Sequence, residues 1–316
     1  MSIACAFRLR GKIILLAAFT SSTFAAELEI RAAVDKPRVK IGEEIIFSVE
    51  VANREQAATP GREIKFGGGS LDFEITMGQG RRQGEAVKFR YTRILGSPTE
   101  PERPRSVEIP GGGKLSGSAR IPALLPGRMT IVGVLWGKIQ LETIALEVED
   151  DGRELFWKIE TDQGTLQAKL LPEAAPNTVA NLVLMARDGF YRQGDFHRIV
   201  KGFMIQGGCP KGDGTGGPGF CLPAEFSKTL KHVRGILSMA RSSHKDSAGS
   251  QFFIVDGPAP WLDGQYTIFG ELATGKEVLE KLTAAPVRPN IQGEASEPLQ
   301  KPVIKDISVE VEAASQ

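Results

Sequence analysis

Short segments in which apolar and polar residues alternate, separated by turn-forming residues, dominate the first half of this chain. Clear examples lie at 47–51 (FSVEV), 72–75 (DFEI) and 144–149 (IALEVE). Alternation of period two places the apolar side chains on one face of a β-strand. Glycine-rich turns such as 110–113 (PGGG) punctuate the segments, and no convincing helical period interrupts them. The pattern predicts an antiparallel β-sandwich over residues 26–150.

A polar stretch, EDDGREL at 149–155, separates this region from a second one of different character. Residues 156–171 beyond it predict a hairpin that turns at the sequence DQG, 162–164. We therefore place a second domain at 153–313. A chain of 316 residues exceeds the usual size of a single domain, so two domains agree with its length.

Two helices are predicted in the second domain. Residues 176–190 begin with a proline, have apolar residues at helical spacing and reach Gly189, a typical stop. Thr274 with Glu277 three residues later has the pattern of a capping box. A closing strand is expected at 301–312. Many strands with only two helices predict a closed β-barrel whose ends the helices cover.

The first 25 residues have the composition of a signal peptide. Basic residues at positions 8–12 precede an apolar run, IILLAAF at 13–19, and small residues then permit cleavage after Ala25. A transmembrane helix needs about 20 apolar residues, and this run is much shorter. We expect a periplasmic or secreted protein with no membrane span in its mature form.

Composition and motifs argue against several other functions. The net charge is +1 with interspersed charges, which does not favour nucleic acid as a partner. The sequence GDGTGG at 212–217 fits a dinucleotide motif, but Pro218 and Gly219 follow where a helix should begin, so no cofactor is predicted. The histidines His197, His232 and His244 lack metal-ligand spacing with a cysteine pair, and no metal is predicted.

One strand pattern is unusual. FHRIVKGFMIQGG, residues 196–208, alternates like a half-buried strand pair yet carries Arg198 and Gln206 among large apolar residues. Taken alone, an arginine such as Arg198 is more often a structural ion-pair residue than a catalytic one. A guanidinium and a carboxamide on one apolar face require a physical reason.

Five ordered blocks supply that reason. The segment at 196–208, GDGTGGPGF (212–220), GILSMAR (235–241), GSQFFI (249–254) and WLDGQYTIFG (261–270) together resemble cyclophilin-type peptidyl-prolyl isomerases. The resemblance spans roughly Phe156 to Val311. It implies an eight-stranded closed β-barrel with two helices, which agrees with the barrel predicted above from the pattern of strands and helices. Segments 36–53 and 124–136 loosely resemble strand pairs of immunoglobulin-like domains, so the predicted fold is mainly β: an immunoglobulin-like sandwich followed by a cyclophilin-like barrel.

The resemblance also implies a set of site residues. Arg198 and Gln206 match the catalytic positions, with Arg198 as the donor to the prolyl nitrogen. An arginine suits this role because its guanidinium stays charged and offers several donors. The implied substrate-binding residues are Phe203, Met204, Ala240, Arg241, Gln251, Phe253, Trp261, Leu262 and Tyr266.

Tyr266 is a departure from the family pattern, in which many members carry a histidine at this rim position. Its hydroxyl still offers a hydrogen-bond donor, so we expect activity with altered contacts to substrate or inhibitor.

Removal of residues 1–25 would leave two cysteines, Cys209 and Cys221, on either side of the glycine-rich loop. An oxidising compartment permits a disulfide between them, but sequence does not reveal whether the geometry allows it. A disulfide and two separate thiols both remain open.

The leading hypothesis is an exported, monomeric peptidyl-prolyl cis-trans isomerase that assists the folding of proline-containing, unfolded or partly folded polypeptides. The alternative is a non-catalytic peptide-binding chaperone or scaffold that uses the same groove. Arg198 favours the enzyme, because a groove that only binds has no need of that donor. In a third hypothesis, the N-terminal sandwich sets the role as an adhesion or docking module.

Overall fold

The computed structural model describes residues 8–9, 12–13, 28–54, 62–66, 71–77, 87–91, 94–95, 105–109, 112–135 and 139–313. Most of the predicted signal peptide and the proline-rich stretch around Pro98, Pro101 and Pro104 lie outside these residues. The chain divides into two compact units, Met1–Thr92 with Glu102–Asp151 and Arg93–Pro101 with Gly152–Gln316.

Strands before residue 150 are β1 Arg8–Leu9, β2 Lys12–Ile13, β3 Leu28–Val34, β4 Arg38–Lys40, β5 Glu44–Asn53, β6 Arg62–Phe66, β7 Leu71–Met77, β8 Val87–Tyr91, β9 Ile94–Leu95, β10 Arg105–Ile109, β11 Lys114–Pro122, β12 Gly127–Leu135 and β13 Ile139–Glu149. Strands after it are β14 Arg153–Thr161, β15 Gly164–Leu170, β16 Gly194–Val200, β17 Met204–Gly207, β18 Phe220–Cys221, β19 Ile236–Met239, β20 Phe252–Val255, β21 Ile268–Thr274, β22 Val287–Pro289, β23 Ala295–Pro298 and β24 Val303–Ala313. The helices are α1 Pro176–Arg187, α2 Lys276–Thr283 and a 3-10 helix at Pro260–Leu262.

The first unit contains a three-stranded sheet, β11-β5-β3, and a five-stranded sheet, β4-β13-β12-β7-β8. Along β5 the odd-numbered residues 45–51 are buried while residues 44–50 between them are more exposed, as the alternation predicted. Phe47 of β5 and Phe73 of β7 meet edge-on, with ring centroids 4.9 Å apart. The two sheets therefore share an apolar interior.

The second unit is built on a closed barrel of eight strands in the order β14-β15-β21-β19-β20-β17-β16-β24. Its neighbouring strands pair antiparallel, and β24 closes the barrel by pairing with β14 over Arg153–Thr161. Trp157 fills the interior, where its ring packs edge-on against Tyr191, Phe252 and Phe269. The predicted eight-stranded closed barrel with two helices is confirmed.

Helix α1 follows its sequence signals. Pro176 stands at its N-terminal end, where a missing N–H costs no hydrogen bond, and Gly189 beyond its C-terminus has φ +72°. Nearly every residue of α1 is buried against the barrel.

The capping box predicted for the second helix is wrong. Thr274 is the last residue of β21, paired with Gln167, and the residue that caps α2 is Gly275. Gly275 has φ +91°, and a Cβ there would lie 2.7 Å from the carbonyl oxygen of Thr165. The chain therefore turns from strand to helix at a position that only glycine fits, one residue later than the motif implied.

Candidate active site

Arg198 and Gln206 lie directly opposite each other on neighbouring strands. In the β16–β17 pair, Arg198 is in register with Gln206 and Val200 with Met204. The Arg198 Nη1 lies 3.4 Å from the Gln206 Oε1 and 3.8 Å from the Met204 Sδ. The alternation of the two strands thus places guanidinium, amide and thioether on one face, as the sequence predicted.

A β-bulge in β16 sets the orientation of Arg198. Phe196 pairs with Gly207 and Arg198 with Gln206, so β16 uses one more residue than β17 between the two pairs. The extra residue is His197, whose side chain is almost fully buried. Burial lowers the pKa of His197 below its ordinary value, so this imidazole is neutral at pH 7.

A hydrogen-bond relay leads from Gln206 to the glycine-rich loop. The Nε2 of Gln206 donates to the Oε1 of Gln251 at 3.0 Å. The Nε2 of Gln251 in turn donates to the carbonyl oxygens of Gly214 and Gly216, both at 2.8 Å. The two amides thereby fix the loop beside the strand that carries the arginine.

Six predicted substrate-binding residues belong to one apolar cluster, called the pocket below, and Met204 brings it into contact with the guanidinium. Its buried members include Met204, Phe253 and Leu262, and the residues packed against them include Phe203, Ala240 and Tyr266. Phe203 is fixed by its own carbonyl, which accepts the backbone N–H groups of Asp256 at 2.8 Å and Gly257 at 3.3 Å. A Cβ on Gly257 would lie 2.2 Å from the carbonyl oxygen of Gly202, so the close approach of these two turns requires glycine.

The rim of the pocket is aromatic. Trp261 is 60% exposed, and its ring centroid lies 5.5 Å from that of Phe203. Tyr266 meets Phe253 edge-on at 5.9 Å, and the Arg241 guanidinium stacks on the Tyr266 ring at 4.5 Å. Tyr266, the predicted departure from the family pattern, is therefore one half of a cation–π pair.

A cavity of about 490 Å³ lies beside this region and shares Ala240 and Arg241 with it. Gln206, Ala240, Arg241 and Gln251 line it together with the glycine-rich loop. Every predicted site residue thus belongs to the β16–β17 pair, the pocket cluster, the relay, the rim or the lining of this cavity. The roles assigned to them remain predictions.

Sequence reasoning missed a buried pair behind the pocket. The Nδ1 of His232 lies 3.0 Å from the Oδ1 of Asp263, which also accepts the His232 backbone N–H at 2.8 Å. The His232 ring stacks on Phe253 with a centroid distance of 6.1 Å. Asp263 ends the 3-10 helix that carries Trp261, so the pair fixes pocket wall and rim to each other. In the sequence, His232 lies just before the block at 235–241, which was the only sign of this pair. The rules for metal-ligand spacing gave no reason to select His232.

No disulfide joins Cys209 to Cys221. The Cys209 Sγ accepts the backbone N–H of Gly216 at 3.2 Å and lies 3.8 Å from the Asp213 Oδ1. The thiol is therefore turned into its own loop, which corrects the disulfide alternative.

Among the residues that the structure describes, no group of three or more His, Cys, Asp or Glu could hold a metal ion. The described helices are also too short or too polar to cross a membrane.

The second half of the chain is similar to several known proteins. The family model "Cyclophilin type peptidyl-prolyl cis-trans isomerase/CLD" matches residues 156–309. A peptidyl-prolyl cis-trans isomerase of Synechococcus elongatus is 50% identical over 113 residues, covering 36% of this chain and 77% of that protein. Peptidyl-prolyl cis-trans isomerase B of Bacillus subtilis is 44% identical over 134 residues, covering 42% of this chain and 93% of that protein. A cyclophilin-type isomerase structure from Cryptosporidium parvum has 36% identity and a TM-score of 0.46, covering 49% of this chain and 98% of that one.

The barrel and its relatives define the class of protein, an enzyme that accelerates rotation about X–Pro peptide bonds. The chain belongs to the cyclophilin-type peptidyl-prolyl cis-trans isomerases.

Proposed function

We propose that Arg198 catalyses isomerisation by donating a hydrogen bond from Nη1 to the prolyl nitrogen as the amide twists. The observation that carries this is the position of Nη1 at the pocket, 3.8 Å from the Met204 Sδ, with the other two guanidinium nitrogens turned to a carboxylate. The barrier of about 20 kcal/mol arises from amide resonance, which a donor to the nitrogen weakens. Rotation breaks no covalent bond, so neither a nucleophile nor a cofactor is required.

The apolar pocket holds the ring during this rotation. Met204, Phe253 and Leu262 are buried and form the floor, while Phe203 closes one side. Gln206 and the backbone at Arg241 bind the peptide chain. A hydrogen bond from a charged guanidinium is stronger than one between neutral groups, and the apolar surface beside it strengthens the interaction further.

The alternative, a scaffold that binds peptides without catalysis, would use the same pocket and relay. It gives no reason for the Nη1 of Arg198 to face Met204 and Gln206 while Nε and Nη2 are bound by a carboxylate. The proximity of Nη1 to both Gln206 and the apolar pocket favours the enzyme as the role of this groove.

We propose that the clients are exported proteins, in the periplasm or outside the cell. The support is the sequence of residues 1–25, with its basic start, short apolar run and small residues before Ala26. Protein recovered from the exported fraction of expressing cells should begin at Ala26. An exported-fraction sample that retains Met1, or protein found only in the cytoplasm, would contradict export.

We propose that the first unit is an immunoglobulin-like sandwich that spaces the barrel or raises the local concentration of clients. Support comes from its two sheets with the shared Phe47–Phe73 interior and from the absence of any site residue in its described part. The isomerase B of Bacillus subtilis is covered over 93% of its length by a match to only 42% of this chain, which supports a catalytic unit without the sandwich.

Deletion of residues 26–150 removes the first unit and also β9, which pairs with β18 in the second unit. It is expected to leave kcat/KM on a short X–Pro peptide within about twofold of the intact protein. Every proposed catalytic and pocket residue lies at 198–266, beyond the deletion. The measurement is peptide isomerisation by both forms, with circular dichroism to check that the barrel stays folded. If the first unit concentrates clients, refolding of an unfolded proline-limited protein should slow while peptide turnover does not. A collapse of peptide turnover in a folded barrel would refute the division of roles.

A further inference from the structure

Arg198 is held by a carboxylate that lies 96 residues further along the chain. The Nε of Arg198 donates to the Oε2 of Glu294 at 2.8 Å, and the Nη2 donates to the Oε1 at 2.7 Å. Two parallel hydrogen bonds between a guanidinium and a carboxylate fix both the position and the plane of the guanidinium. Glu294 thus binds the Nε and Nη2 edge of the guanidinium, which faces away from the pocket, and so restricts rotation of the Arg198 side chain.

This contact determines which nitrogen is left for a substrate. With Nε and Nη2 bound to Glu294, the nitrogen turned toward Met204 and Gln206 is Nη1, and its contacts there are long, at 3.8 and 3.4 Å. Contacts of that length are weak and are easily exchanged for a better acceptor. The carboxylate therefore holds one edge of the guanidinium and leaves the other available.

The turn that carries Glu294 is itself rigidly built. Glu294 lies between β22 and β23, where the Asn290 Oδ1 accepts the backbone N–H groups of Gln292 at 2.9 Å and Glu294 at 3.0 Å. The Asn290 N–H donates to the Glu294 carbonyl at 2.8 Å, and the Asn290 Nδ2 donates to the buried Ser296 at 3.1 Å. Gly293 has φ +83°, which permits the tight turn. The hydrogen bond from Arg198 lowers the pKa of Glu294, so the carboxylate is ionised at neutral pH.

We propose that Glu294 is a positioning residue for catalysis, which takes the Nε and Nη2 edge of Arg198 and thereby presents Nη1 to the prolyl amide. The proposal rests on the proposed role of Arg198 as donor. A purely structural ion pair is the competing explanation, in which Arg198 and Glu294 only tie the β22–β23 hairpin to the barrel. The two differ because a positioning residue affects turnover only while the arginine is present.

Glu294→Ala is expected to lower kcat/KM on a short X–Pro peptide about tenfold, since the released guanidinium samples several rotamers. The dissociation constant of the peptide should change by less than about twofold, because the apolar pocket is intact. Glu294→Gln keeps the shape of the side chain and one hydrogen-bond acceptor, so it should lower kcat/KM by less than Glu294→Ala does. Glu297→Gln is the matched control, because Glu297 pairs with Arg288 at 2.6 Å on the same hairpin and does not touch Arg198. It should retain wild-type turnover.

The decisive arm repeats Glu294→Ala in an Arg198→Ala background, where it should cause no further loss because no guanidinium is left to position. In parallel, the Nε–H proton of Arg198, followed by nitrogen-15 NMR, should exchange with water faster in Glu294→Ala than in the wild type. Folded Glu294→Ala protein with turnover within about twofold of wild type, or an equal loss in both backgrounds, would overturn the proposal. If Arg198→Ala alone is fully active while the NMR contrast persists, the role of Arg198 has failed rather than the contact, and the positioning role falls with it.

Discussion

Replacement of Arg198 by alanine is expected to lower kcat/KM by about two to three orders of magnitude, or roughly 3–4 kcal/mol of transition-state stabilisation. The loss is large because Nη1 would bind the prolyl nitrogen only when the amide is twisted and its lone pair is localised. An interaction made in the transition state alone lowers kcat rather than affinity. Peptide binding should weaken much less, since Met204, Phe253 and Leu262 still hold the ring.

Two further variants distinguish catalysis from a structural role. Arg198→Lys should restore little activity, because an ammonium cannot make the paired contact with Glu294 and still reach the pocket. Arg288→Ala removes another arginine–carboxylate pair of the same hairpin, outside the pocket, and should leave turnover unchanged. Melting temperature is measured beside the isomerisation rate for each variant. A well-folded Arg198→Ala protein with near-wild-type turnover would end the catalytic interpretation.

The strand pair that carries the site could be predicted because its information is local. Alternation places Met204 and Gln206 on one face, and the short connection to β16 brings Arg198 opposite Gln206. The pocket aromatics follow from the ordered blocks of the resemblance, four of which contain both strand residues and predicted site residues. The local pattern therefore singled out Arg198 and Gln206, and the other nine site residues came from the family resemblance alone.

Residues that are remote in sequence but adjacent in space were not predictable in this way. Glu294 stands in a turn whose composition marks only a loop, and nothing near it indicates that β16 lies alongside. The His232–Asp263 pair likewise depends on where the 3-10 helix returns to the barrel. Such contacts depend on tertiary packing, which periodicity does not encode.

The capping box at Thr274 failed for a related reason. The motif describes a helix whose first residue is preceded by free chain, whereas Thr274 is held in β21 by its pairing with Gln167. In the first unit, alternation located β5, β7 and β13, yet it could not reveal that β13 pairs with β12 on one side and, in parallel, with β4 on the other. Strand existence is a local property, and strand partners are not.

Replacement of Trp157 by alanine is expected to reduce the stability of the barrel by about 3–5 kcal/mol. The ring has no exposed surface, and it meets Tyr191, Phe252 and Phe269 edge-on at centroid distances of 5.3–5.4 Å. Removal of the ring leaves a cavity, and the hydrogen-bonded strands of the closed barrel cannot move inward to fill it. Three aromatic contacts are lost as well. Because a domain is stable by only about 5–15 kcal/mol, much of the folded-state margin would disappear.

Trp157→Phe serves as the conservative variant. Within the described residues the Trp157 Nε1 is buried without a hydrogen-bond partner, so phenylalanine removes an unsatisfied donor while it keeps most of the aromatic packing. We expect a loss of only about 1–2 kcal/mol, measured by urea unfolding of the barrel.

Trp261→Ala is the matched comparison, because it removes an exposed tryptophan at the rim where Trp157→Ala removes a buried one from the barrel interior. Trp261 is 60% exposed at the rim, so its removal should cost less than about 1 kcal/mol of stability while it weakens peptide binding. Trp157→Ala should do the reverse, with turnover per folded molecule unchanged, because Trp157 lies in the barrel interior and not in the pocket. Unfolding midpoint and peptide isomerisation are measured on both variants at a temperature where each remains folded. Equal stability losses would mean that the barrel interior relaxes around the missing ring, and a turnover defect in folded Trp157→Ala would mean that the core ring also shapes the pocket.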